Sequence, residues 1–150
     1  MKPYATYALY VLLSLISVNG FSQNNNQKPK QFDNYPATLN CSDQELAKVF
    51  NAPKGQVISL SFSDHFIFSG TVTSNIVKYA NLQTAVITSP YYSNTIFNVS
   101  KFTDTDGSIS YIGRIINKNY FDGFELKKNP VGNYQLVKVE TDRVIQDCSQ

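Results

Sequence analysis

This chain is poor in the residues that carry chemistry. Its 150 residues include one histidine, His65, and two cysteines, Cys41 and Cys148, with no C-x-x-C spacing. An ordinary zinc site needs four His, Cys or carboxylate ligands, and this set does not supply one without help from acids. No G-x-S-x-G elbow occurs, so nothing points to a serine nucleophile on a strand-to-helix turn. Thirteen basic and eleven acidic side chains leave a formal net charge of +2. The basic residues are scattered, only Lys127 and Lys128 being adjacent, and read as solvated positions. No stripe is present to track a phosphate backbone, so no nucleic-acid partner is expected. Repeats of fixed length are also lacking.

The N-terminus reads as a secretory signal peptide over residues 1–22. Lys2 precedes an uncharged, mostly apolar stretch from Tyr7 to Val18, and Gly20 and Ser22 suit cleavage before Gln23. A spanning helix needs roughly 20 predominantly apolar residues, so no stable membrane anchor is expected. No cysteine follows the apolar run until Cys41, which argues against a lipoprotein. The leader ending Phe21-Ser22-Gln23, ahead of an Asn- and Tyr-rich chain, resembles secreted proteins of the Bacteroidota in style and composition. Export to the periplasm or the medium exposes both cysteines to oxidation, and a Cys41–Cys148 disulfide is the first expectation. It closes a loop of roughly 100 residues, worth ~4–5 kcal/mol in the chain-entropy model, and sets the two ends of the fold side by side.

Residues 23–38, polar and interrupted by Pro29 and Pro36, read as a flexible polar leader, and 39–150 as a single β-rich domain. Within "CSDQELAKVF", Ser42 with Glu45 three residues on is a capping-box pattern. Leu46, Val49 and Phe50 share a face of the short helix that follows, and Pro53 and Gly55 stop it. From Gln56 the hydrophobic period becomes 2. Strands are expected near 56–63, 66–72, 76–79, 84–89, 95–102, 108–117, 123–128 and 133–140, with "RVIQDC" as a further strand or a turn of helix. The fold class is mainly β: about eight antiparallel strands as a sandwich or a curled partial barrel, with one short N-terminal helix.

Asp104, Asp106 and Gly107 form a D-x-D-G run. In an EF-hand loop with Gly107 sixth, the first and twelfth positions would be Phe102 and Gly113, which cannot ligate calcium. Asp106-Gly107 between alternating strands reads instead as a hairpin turn. His65 adjoins Asp64, but neighbours in a strand point to opposite faces and do not form a catalytic pair. Most carboxylates fall in turns or at the helix start; Glu125 and Glu140 lie in strands and are expected to face solvent.

Aromatic side chains in loops are the remaining signal. Tyr91 and Tyr92 follow Pro90, and Tyr120 and Phe121 sit among polar residues. Tyrosine offers flat contact area with few rotamers to lose and a hydroxyl to bond. One member of each pair is expected to tuck inward and the other to remain exposed. The resulting expectation is a secreted module that binds a protein or glycan partner through Tyr91, Tyr92, Tyr120 and Phe121, with no cofactor or metal. The alternatives are a small carboxylate-dependent hydrolase, or a carrier holding a lipid in a hollow curled sheet.

Overall fold

The computed structural model describes residues 28–141. The expected signal peptide, the "RVIQDC" piece and Cys148 lie outside the described residues. Eight antiparallel strands form one sheet that curls into a nearly closed barrel, the curled alternative and not the sandwich. The strands are β1 (Thr38–Cys41), β2 (Val57–Ser63), β3 (Phe66–Tyr79), β4 (Leu82–Ser89), β5 (Thr95–Thr103), β6 (Ile109–Ile116), β7 (Asp122–Lys128) and β8 (Tyr134–Glu140). From β2 to β8 each strand pairs with the next, and β1 returns to pair with β8. Helix α1 (Asp43–Asn51) sits between β1 and β2, which approach one another without ladder bonds.

Alternation builds the interior in rows. One row of register partners runs Asn75, Ala85, Val99, Gly113, Leu126, Leu136 and Leu39 across seven strands. The next runs Val72, Ile87, Phe97, Ile115 and Phe124, all fully buried. Rings fill the remaining space: Phe66 lies 5.4 Å from Phe124 and 6.0 Å from Phe62, and Phe68 lies 6.1 Å from Phe97. Contacts of this kind are typical of a packed core. The β6–β7 ladder is short, with three pairs from Gly113–Leu126 to Ile115–Phe124. Beyond it the Tyr134 hydroxyl accepts the Tyr111 amide at 2.9 Å and closes the gap.

The two mouths of the barrel are closed differently. At one, α1 lays Leu46, Val49 and Phe50 over the core. Ser42 Oγ accepts the Glu45 amide, as the capping pattern implies, but the reciprocal half is absent. The Glu45 carboxylate instead pairs with Lys48 and accepts the Ser61 amide at 2.9 Å, tying the helix to the free edge of β2. The helix has no left-handed cap, and Ala52 is extended. Asn75 Nδ2 donates toward the Val49, Phe50 and Ala52 carbonyls (3.3, 3.1 and 2.9 Å), and Gln83 Nε2 reaches Phe50 O at 3.2 Å. These bonds satisfy carbonyls that a helix end otherwise leaves open.

Three expectations need correction. The segment expected to be a flexible polar leader is anchored in its described part. Both oxygens of the buried Asp122 carboxylate accept main-chain amides, from Gln31 and Phe32 (2.5 and 2.9 Å), and Phe32 plugs the second mouth, fully buried against Phe124 (5.1 Å) and Phe66 (5.8 Å). The strands expected at 66–72 and 76–79 are one strand, β3, whose register shifts between Val72 and Ser74. That bulge changes which residues face inward and makes one strand read as two. Residues 38–41, counted with the leader and the helix, form β1.

Cys41 is buried and has no disulfide partner among the described residues, and its thiol pKa is pushed up to about 12 by burial first and then by Glu45 and Asp43. It pairs with Tyr134, at the far end of β8 from Thr141. That separation is about 23 Å at ~3.3 Å per residue, and seven further residues span at most about 25 Å. Bridged Cα atoms lie about 5.5 Å apart, so a bridge to Cys148 would need most but not all of that reach.

Phe32→Ala should lower unfolding free energy by ~3–5 kcal/mol in urea titrations, the cost of removing a fully buried ring. A flexible leader would show no change. Cys41 should resist iodoacetamide in the native protein and react on unfolding without reductant. Protection that persists in denaturant until reductant is added would instead establish the Cys41–Cys148 bridge.

Candidate functional site

The second mouth carries the loop aromatics. A short 3₁₀ turn, Pro90–Tyr92, follows β4, and Ser93 and Asn94 then take left-handed backbone conformations at φ 53° and 61°. Two consecutive non-glycine residues in this region carry a steric cost and persist only where their surroundings hold them. Here the surroundings do so. Asn117 Nδ2 donates to Ser93 O at 2.9 Å, and the Tyr120 hydroxyl bonds Ser93 Oγ at 3.2 Å. Gln31 Nε2 donates to Tyr92 O at 2.7 Å, and the Thr95 hydroxyl lies 2.7 Å from Gln31 Oε1. The 117–121 loop is fixed in turn, because Asn117 Oδ1 accepts the Asn119 amide and Thr141 Oγ1 donates to Tyr120 O at 2.6 Å.

Of the four aromatic residues, the structure brings Tyr92 and Tyr120 together around Ser93, with Tyr91 in the same turn. Tyr91 is 77 % exposed. Tyr92 turns inward; its ring stacks on Phe68 at 5.8 Å and its hydroxyl lies 3.2 Å from that of Tyr35. Burial, then that hydrogen bond, raises the Tyr92 pKa above the usual phenol range. Tyr120 is half-buried. Phe121 points away, into a separate shallow recess of about 320 Å³ shared with Lys30, Asp33, Asp122, Lys138 and Glu140. There Asp33 is paired with Lys30, and Asp122 is occupied by the two amides.

The remaining candidates are placed as follows. His65 is exposed in the β2–β3 turn, away from any recess named here, and its amide donates to Ser63 Oγ. The D-x-D-G run is a turn: Gly107 has φ 83° and donates to Asp104 O, Ser108 N donates to Asp106 Oδ1, and Ser108 Oγ lies 3.3 Å from Asp104 Oδ2. The Ser108 amide holds the Asp106 carboxyl below its ordinary range. Among the described residues no group of three or more His, Cys, Asp or Glu side chains converges.

A site that sequence reasoning did not anticipate lies on the outside of the barrel. A groove of about 510 Å³ runs over β5–β7 between Asn98, Ser100, Ile112, Ile116 and the Arg114–Glu125–Lys127 group. Glu125 Oε1 accepts Arg114 Nη2 at 3.0 Å and Oε2 pairs with Lys127 at 2.8 Å. The Lys127 bond first, and Arg114 after it, hold the Glu125 carboxyl below its usual value against partial burial. β5 and β6 close tightly under this groove, since a Cβ on Gly113 would meet Asn98 O at 2.7 Å.

Compared with known proteins, the chain matches no family model, no curated protein and no solved structure.

The Ser89 hydroxyl, fully buried before the 3₁₀ turn, has no hydrogen-bond partner among the described residues. A buried unpartnered hydroxyl is destabilising. Ser89→Ala should therefore stabilise the fold by ~1 kcal/mol in thermal or chemical denaturation; a loss of stability would reveal a partner such as an ordered water.

Proposed function

We propose that this protein is an exported, non-catalytic binding module that recognises a glycan or protein surface with the rim formed by residues 90–94 and 117–121. The observation that carries this reading is the rigidity of the rim. Ser93 and Asn94 keep left-handed conformations because Asn117, Tyr120, Gln31 and Thr95 bond the loop from several sides. A loop already held in one conformation loses little entropy on binding, so more of its contact energy appears as affinity. Its residue types, exposed Tyr91 beside Ser93, Asn94 and Asn119, are those of adaptable recognition loops, in which tyrosine supplies area and small polar residues supply hydrogen bonds.

The alternatives gain less support. A carrier needs room inside, and this lumen is occupied by Phe66, Phe68, Phe97 and Phe124 with both mouths closed. A carboxylate hydrolase needs two acids free to face a substrate, and Asp33, Asp122 and Glu125 are each engaged with lysine, arginine or amide partners. Export rests on the leader pattern of residues 1–22.

Amide-resolved NMR titration with soluble oligosaccharides, and separately with peptides, tests the reading. The expected result is that a binding ligand shifts residues 90–94 and 117–121, and that Tyr91→Ala weakens it tenfold or more while leaving the melting temperature unchanged. Ligand shifts confined to other surfaces, or a Tyr91→Ala variant that binds as well as the parent, would refute it.

A further inference from the structure

The groove over β5–β7 is made by side chains of unequal length. Arg114 stands at its centre on β6, with Asn98 as its register partner on β5 and Glu125 on β7. Glu125 Oε1 accepts both Nε (3.3 Å) and Nη2 (3.0 Å) of Arg114 and so draws the guanidinium toward β7. On the β5 side Asn98 and Ser100 are too short to fill the space this leaves, and Ile112 and Ile116 flank it along β6. Its volume, about 510 Å³, is that of a small-ligand site. Charge and hydrogen-bonding capacity are left over there. Arg114 and Lys127 share one carboxylate, which leaves the group one net positive charge. The outward neighbours on β4 and β8, Thr84, Val86, Gln135 and Val137, add none. Glu125 engages Nε and Nη2, so Nη1 of Arg114 is open to another acceptor. The side chains of Asn98 and Ser100 have no hydrogen-bond partner among the described residues.

We propose that this groove binds a sugar carrying one carboxylate, a uronic acid residue. A single carboxylate matches the single net charge, and the planar guanidinium of Arg114 presents donors in the geometry a carboxylate accepts. A dianion such as a phosphate ester would set its second charge against Glu125. Ring hydroxyls find partners in the unengaged Asn98 amide and Ser100 hydroxyl, while the apolar face of the ring lies on Ile112 and Ile116. Such a mixture, an apolar surface with a few placed polar groups, is what orients a small ligand. Glu125 has two opposed effects here. It holds Arg114 and Lys127 over the groove, and its charge competes with the ligand for both. The groove lies on the wall of the barrel and the aromatic rim at its mouth, so this site does not depend on rim recognition.

Amide-resolved NMR titration of the full chain with glucuronate, and with glucose as the neutral control, tests the site. Glucuronate should shift residues 98–100, 112–114 and 125–127 with a dissociation constant of about 1–10 mM, and glucose should shift none of them. Arg114→Gln should weaken glucuronate tenfold or more. Glu125→Gln keeps an acceptor for Arg114 and removes the competing charge, so it should tighten glucuronate about threefold. A purely structural Glu125 gives the opposite sign. The proposal is overturned if glucuronate leaves the groove unmoved, if glucose binds there as well, or if Glu125→Gln weakens binding. Shifts confined to residues 90–94 and 117–121 overturn it too, while leaving the reading of the rim intact.

Discussion

The Asp122 carboxylate holds the aromatic end of this protein together. It is buried at the start of β7, and its two oxygens accept the amides of Gln31 and Phe32 from the opposite end of the described chain. A buried carboxylate is tolerable only when its lone pairs are occupied by donors. Meeting that demand brings residues 29–35 onto the barrel mouth and drives Phe32 into the ring cluster. Tyr35 then packs 4.8 Å from Phe66, and Gln31 is placed where its side chain reaches Tyr92 O and Thr95. The shape of the rim thus derives from a contact between residues about ninety positions apart.

The other mouth solves a different problem with the same kind of device. A short helix set across a barrel leaves carbonyls at its end without intrahelical partners, and no left-handed glycine cap is there to satisfy them. Asn75 and Gln83 turn their amides to those carbonyls and bond each other at 2.8 Å. Glu45 leaves its expected capping role to cover an amide of β2, the strand whose outer edge has no ladder partner. Side-chain amides and carboxylates finish what strands and helix cannot complete alone.

The periodicity of 2 made the strands legible, because alternation is a direct consequence of one face being buried. The agreement on eight strands nevertheless conceals two errors that cancel. The bulge after Val72 broke the alternation of β3 into two apparent strands, while β1 was too short, and too close to Pro36 and the helix cap, to stand out. Phe32 looked like one aromatic in a polar run, since nothing local records that a carboxylate ninety residues away will hold it. At the rim, Tyr91 is exposed and Tyr92 turned inward as expected, but within a 3₁₀ turn and not by strand alternation, and Tyr120 and Phe121 do not divide in this way, since both are half-buried. The left-handed pair Ser93–Asn94 and its support from Asn117 and Gln31 depend on contacts between distant segments, and Phe121 turned to a recess that residue spacing does not reveal. The D-x-D-G turn was readable because its chemistry is local.

The place of β1 in the sheet has a kinetic consequence. From β2 to β8 every strand pairs with its sequence neighbour, so these contacts close short loops and can form in succession at small entropic cost. Pairing Thr38 with Val137 joins positions separated by nearly the whole domain, and it has no short-range substitute. A chain emerging N-terminus first can seat α1 on β2–β4 early, but it holds the Phe32 plug in waiting for Asp122 of β7 and β1 in waiting for β8. Residues 29–41 thus come into use only as the last two strands arrive, and the barrel is closed late although its helix is seated early.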